Sequence, residues 1–128
     1  MRAIVIDDSR AMRMILKRIV VKLGFETMEA GDGQEALDLL SAADEVPVVA
    51  LVDWNMPGMN GLDFVIAARA DRRLRDMTLV MVTTESEHSQ IVRALAAGAH
   101  EYVIKPFTEG AMIEKLALLG LVRTERIS

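Results

Sequence analysis

The chain has 128 residues, of which 52% are hydrophobic, with a formal net charge of −4 and no cysteine. That length favours a single domain with its own core. The acidic balance argues against a dedicated nucleic-acid binder, and the missing cysteine removes disulfides and thiolate metal sites from consideration.

Ala3-Ile4-Val5-Ile6 opens the chain and runs into Asp7-Asp8. It leaves no room for a signal peptide. The longest apolar runs, 46–52 and 116–122, are about seven residues long, and a membrane span needs about 20. A cytoplasmic protein without membrane association is expected.

Met12, Ile15, Leu16, Ile19, Val20 and Leu23 then recur at helical spacing, and Gly24 suits the position just past a helix end. Residues 25–30 read as a weaker strand with two glutamates, suited to a sheet edge. Asp32 with Glu35 three residues on marks a helix start, with Ala36, Leu37 and Leu40 inward. Val48-Val49-Ala50-Leu51-Val52 runs into Asp53, and residues 55–61 form a dense turn signal. A helix is predicted over 62–70. Leu79-Val80-Met81-Val82 runs into Thr83, a helix over 89–97 closes at Gly98, and Tyr102-Val103-Ile104 runs into Lys105-Pro106. Thr108 caps a last helix with Met112, Ile113, Leu116 and Leu119 inward. No repeat or linker appears. One domain over 1–128 is expected, with no output domain attached.

Short apolar runs rich in β-branched residues read as strands buried on both faces of a parallel sheet. Strand and helix alternate five times. This predicts an α/β fold with a five-stranded parallel sheet and five helices on both faces, of the flavodoxin-like class. The strand order 2-1-3-4-5 is taken over from that class.

In such sheets ligands meet the carboxyl ends of the strands. Asp7, Asp8, Asp53, Thr83 and Lys105 all follow or end apolar runs, so three carboxylates, a hydroxyl and an ammonium are expected on one rim. Singly, each residue is an ordinary turn or cap residue. Jointly they suit a divalent cation and a phosphoryl group. Crowded carboxylates raise one another's pKa, and a hard cation relieves that. An all-oxygen set without histidine or cysteine favours Mg2+, with Mn2+ as a substitute, over zinc or copper. Beside a cation a carboxylate can act as a nucleophile toward phosphorus. Lys105 would bind phosphoryl oxygens, Thr83 would donate a hydroxyl, and Pro106 makes the Lys105–Pro106 bond a candidate cis peptide. Glycine-rich nucleotide loops and a nucleophile elbow are missing. Arg10, Arg13, Lys17 and Arg18 read as the wet face of the first helix, and His88 and His100 as solvent-facing.

The segments Ile6-Asp7-Asp8-Ser9, Asp53-Trp54-Asn55-Met56-Pro57-Gly58-Met59-Asn60-Gly61, Met81-Val82-Thr83-Thr84-Glu85 and Lys105-Pro106-Phe107-Thr108 resemble two-component response-regulator receiver domains. Within that family the chain resembles the free-standing chemotaxis receivers, over essentially the whole chain. The resemblance implies Asp53 as phosphoacceptor from a histidine kinase. It implies Mg2+ held by the side chains of Asp8 and Asp53, the backbone carbonyl of Asn55, and Asp7 through water. Thr83 and Lys105 would bind the phosphoryl oxygens, and Thr83 and Tyr102 would form the switch, with the Tyr102 ring turning inward. Asn55 and Glu85 would tune hydrolysis. Ile91, Leu95, Tyr102 and Lys115 fall on the partner face. Glu87-His88 stands where the enteric pattern has two lysines, which alters the docking face but not the phosphorylation chemistry.

The function expected is a phosphoacceptor switch, not an enzyme on external substrates. It would work as a monomer whose output is binding to a downstream protein, in chemotaxis the flagellar motor switch. A phosphatase is a further expected partner. The alternative within the class is a phosphorelay shuttle or phosphate sink. A small-molecule metal-dependent phosphatase is the reading from another class, and the rim lacks the cap insertion it would need.

Overall fold

The computed structural model describes residues 1–84 and 88–121, without the side chain of His88. These residues form β1 (Arg2–Ile6), α1 (Arg10–Lys22), β2 (Glu26–Ala30), α2 (Gly33–Ala42), β3 (Val49–Val52), α3 (Gly61–Ala70), β4 (Thr78–Thr83), α4 (His88–Ala97), β5 (Glu101–Ile104) and α5 (Glu109–Leu118). The strands pair in parallel in the order β2-β1-β3-β4-β5. This is the expected order, with the glutamate-bearing β2 at an edge.

Alternation along the central strands divides the core in two. Ala3, Val5, Val49, Leu51, Val80 and Val82 pack with Leu16, Ile19 and Val20 of α1 and Met112 and Leu116 of α5. Ile4, Ile6, Ala50, Val52, Leu79 and Met81 face the other way, toward α2, α3 and α4. Each buried Leu, Ile or Met side chain contributes about 1.5–3 kcal/mol of transfer free energy. A strand with apolar residues on both faces therefore has nowhere to go but the middle of the sheet.

The helix starts follow side-chain caps. Ser9 accepts from the Met12 N–H, Asp32 from Glu35, Asn60 from Asp63 and Thr108 from Ala111. The Glu35 carboxylate also accepts from the Gly31 N–H, closing the expected capping box one residue upstream of the cap. Gly24 and Gly98 adopt φ of 99° and 126°, left-handed values that end α1 and α4.

Two features differ from the expectation. Ile15 is 44% exposed, so the buried stripe of α1 is narrower than its periodicity suggested and centres on Leu16, Ile19 and Val20. A single 3-10 turn over Arg72–Leu74 was not anticipated, because one turn has no periodicity to detect. Asp71 caps it and Leu74 is buried. The Arg73 guanidinium donates to the carbonyls of Leu40 and Ala43 at the end of α2.

His100 is exposed, as expected, and its Nδ1 also accepts from the Leu79 N–H at 3.1 Å and lies 3.1 Å from Arg69 Nη2. Arg69 further donates to the carbonyls of Gly98 and Arg75, so it ties α3 to the loops before β4 and β5. Burial first, and then the Arg69 charge, hold His100 below its ordinary value of 6.5. The unfolded chain takes up the proton that the fold resists. Stability is therefore fully present above that value and falls as pH drops toward the folded pKa. Thermal melts between about pH 7 and pH 5 should show wild type losing more stability than His100→Asn, whose amide can keep an acceptor without titrating. Parallel pH profiles would contradict this account.

Candidate functional site

The hydrogen-bond ladder continues one residue past several strands and thereby places the rim. The Asp7 N–H donates to the Ala30 carbonyl, Asp53 to Ile6, and Lys105 to Thr83. The ends of β1, β3 and β5 are thus locked to their neighbours just where the polar residues begin. Asp7 is 1% exposed, Thr83 2% and Asp53 6%. Asp8 and Asn55 lie on the exposed outer side of the rim. Asp7, Asp8 and Asp53 each offer a carboxylate oxygen, all within 4.8 Å of one another.

Lys105 enters from the end of β5. Its Nζ lies 3.0 Å from Asp7 Oδ2 and 3.4 Å from Asp53 Oδ1. The Lys105–Pro106 peptide is cis. The other oxygen of Asp7 accepts from the Ser9 N–H at 2.8 Å, which fixes that carboxylate as the chain turns into α1. Arg13 Nη1 donates to the Asp7 carbonyl at 2.6 Å, and Arg13 Nε sits 3.4 Å from Glu29. Arg13 is therefore a brace behind the site rather than part of a wet helix face. Neither the motif nor the helical pattern assigns Ser9 or Arg13 this supporting role.

The β3–α3 turn needs Gly61. A Cβ there would collide with the Asp53 carbonyl and come within 2.9 Å of the Trp54 Cα. The Gly61 N–H closes the turn on the Trp54 carbonyl at 2.9 Å.

Burial first, and then the Asp7 charge, push the Asp53 carboxyl above its ordinary value of 3.8, while Lys105 pulls the other way. A carboxyl whose folded pKa is raised favours the fold when protonated, and that contribution is lost as pH rises through the folded pKa. Ionised Asp53 thus destabilises the metal-free protein at neutral pH. Asp53→Asn is expected to melt higher than wild type at pH 7 in a chelator, with the gap closing as pH falls toward 3.8. An unchanged or lower melting temperature would mean that Lys105 fully compensates the carboxylates.

An oxygen-only cluster of this density, with its buried member electrostatically disfavoured, suits a hard divalent cation. Of the remaining expected residues, Tyr102 is half-buried and Lys115 Nζ lies 5.2 Å from its ring centroid. Lys115 also pairs with Glu101 at 3.4 Å. Ile91 is half-buried and Leu95 is 39% exposed. Pro106 is exposed. Glu85 lies outside the described residues, as does the Glu87 of the docking-face comparison. Thr83, Trp54, Met81, Gln90, Ile91, Ala94 and Tyr102 together wall a small cavity between β4, β5 and α4.

Residues 3–117 match the response regulator receiver domain family. The chain is 44% identical over 117 residues to a chemotaxis protein CheY homolog of Campylobacter jejuni, covering 91% of this chain and 89% of that one. It is 44% identical to the chemotaxis protein CheY of Pseudomonas aeruginosa, covering 91% and 93%. Among solved structures, Vibrio cholerae chemotaxis protein CheY4 superposes with a TM-score of 0.84 at 30% identity, covering 91% of this chain and 96% of that one. No helix of the described residues is long and apolar enough to cross a membrane.

Proposed function

This chain belongs to the response regulator receiver family, and on that premise we propose that it is a phosphoacceptor switch of the chemotaxis kind, receiving a phosphoryl group on Asp53 from a histidine kinase. The observation that carries this reading is the seating of Lys105 Nζ between Asp7 and Asp53 beside an all-carboxylate cluster. Nothing in an ordinary core calls for that arrangement.

In the proposed reaction an Asp53 carboxylate oxygen attacks phosphorus, the P–N bond of the phosphohistidine breaks, and the imidazole leaves and takes up a proton. Asp8, Asp53 and the Asn55 backbone carbonyl, with Asp7 through water, would hold Mg2+. When bound there, the ion neutralises charge on the transferring group. Ser9 and Arg13 keep Asp7 in place. Lys105 exchanges its carboxylate partner for phosphoryl oxygens, and the Thr83 hydroxyl donates to another. Asn55 at the outer rim and Glu85 tune access of hydrolytic water.

Output follows from a two-state equilibrium biased by the new charge. Thr83 moves toward the phosphoryl group, and the Tyr102 ring leaves its place under Lys115. The face formed by α4, β5 and α5 then changes for a downstream protein. In a chemotaxis pathway that protein would be the flagellar motor switch. The unit acts as one receiver domain.

Trp54 is the single tryptophan, adjoins Asp53, and is 8% exposed. Its fluorescence should change with millimolar Mg2+ and again with beryllofluoride, and the second step should vanish in Asp53→Asn. A wild type that ignores both additions would remove the phosphoacceptor reading.

A further inference from the structure

We propose that the side-chain carbonyl of Gln90 is the buried acceptor that receives the Tyr102 hydroxyl in the phosphorylated state, which makes Gln90 a positioning residue for the switch. The inference rests on the phosphoacceptor reading above and names the partner that its inward tyrosine requires.

Among the described residues, Gln90 Oε1 is sealed from solvent and has no hydrogen-bond partner. Buried carbonyls without partners are uncommon because they have given up water for nothing. This one sits on the third residue of α4, at the end nearest the phosphorylation site. It borders the cavity shared by Thr83 and Tyr102. That cavity is about 10 Å3, near the smallest volume that admits one oxygen-sized group. Its other walls are Trp54, Met81, Ile91 and Ala94, largely apolar surfaces that give a water too few partners to hold it.

Tyr102 supplies the complementary half. Its ring walls the same cavity, yet among the described residues its hydroxyl makes no hydrogen bond. Tyr102 is half-buried, and a tyrosine hydroxyl taken inside ordinarily finds a partner. In this resting arrangement Lys115 over the ring, itself held by Glu101, offers the aromatic face a cation instead. A ring that turns inward loses that cation and must satisfy its hydroxyl inside. Among the described residues, the acceptor without a partner on the cavity wall is Gln90 Oε1. A buried acceptor without a partner and a donor with no protein partner among the described residues become matched by a single movement. The pairing therefore favours the switched state and weights the equilibrium that phosphorylation biases.

Linkage makes this measurable. A ligand that prefers the switched state binds more weakly when that state loses a hydrogen bond. Beryllofluoride affinity at saturating Mg2+, read by calorimetry, should fall roughly fivefold in Gln90→Leu, the equivalent of about one hydrogen bond. Tyr102→Phe should show a similar loss. The double variant should lose no more than either single variant, because both remove the same bond. Unphosphorylated Gln90→Leu should melt no lower than wild type, since it deletes an unpaired group. Gln90→Met repeats the test with another apolar side chain should the leucine variant fold poorly. Wild-type affinity in both apolar variants, or losses that add in the double variant, would overturn the assignment. A wild-type protein that binds no beryllofluoride would overturn the phosphoacceptor reading along with it, whereas intact wild-type binding with unaffected variants would sink the Gln90 role alone.

Discussion

Asp53→Asn is expected to incorporate no phosphoryl group from a kinase phosphohistidine or a small phosphodonor. The wild type should label to one equivalent under the same conditions. The carboxylate at this position is the nucleophile, and an amide oxygen carries neither the charge nor the basicity to replace it. Asp7 cannot substitute, because its two oxygens are engaged by Ser9 and Lys105. Asp8 is exposed at the rim, and among the described ion pairs Lys105 meets Asp7 and Asp53 but not Asp8. Labelling should therefore fall to background rather than move to a neighbour. Stoichiometric labelling of the variant at the wild-type rate would remove Asp53 from its role. The same variant separates chemistry from folding, since it is expected to be the more stable protein without metal at neutral pH.

Lys105→Met should act in the opposite sense on the resting protein. Its ammonium is the cation that faces both Asp7 and Asp53, which are nearly fully buried. Removing one partner of a buried charge set leaves the others uncompensated, a loss of about 3 kcal/mol. Denaturant unfolding in chelator should show this loss, and Mg2+ should restore most of it, because the cation takes over the neutralisation. Mg2+ binding should survive, since Lys105 is not a ligand. Phosphorylation or beryllofluoride should then fail to bring about partner binding, because no ammonium draws the β5 end toward the phosphoryl oxygens. An apo stability equal to wild type, or an undiminished switch, would contradict the role given to Lys105.

The rim was legible because each of its residues directly follows or ends an apolar run, and a parallel sheet stacks such ends on one side. The two-sided burial of β1, β3 and β4 was legible for the same reason, as a run with no polar alternation. The order of the strands was not. Nothing local to Val49 or Leu79 says which neighbour it pairs with, and the order came from the fold class. Contacts that depend on long-range placement were not legible either. Arg13 looks like one charge among several on α1, and only the turn at Ser9 brings its guanidinium back to the Asp7 carbonyl. His100 looks like a loop histidine, yet its ring nitrogen meets a backbone N–H 21 residues earlier in the chain. Arg73 caps a helix that ends some 30 residues before it. Gln90 reads as an ordinary polar residue at a helix start until the β4–β5 pairing places Tyr102 across the cavity.

The most direct test of the switch is an amide map of the wild-type protein with Mg2+, before and after beryllofluoride. The account predicts that shifts extend from the rim through residues 95–116, along α4, β5 and α5. Shifts confined to the loops around Asp7, Asp53 and Lys105 would show a phosphorylation site without a coupled output face, and would contradict it.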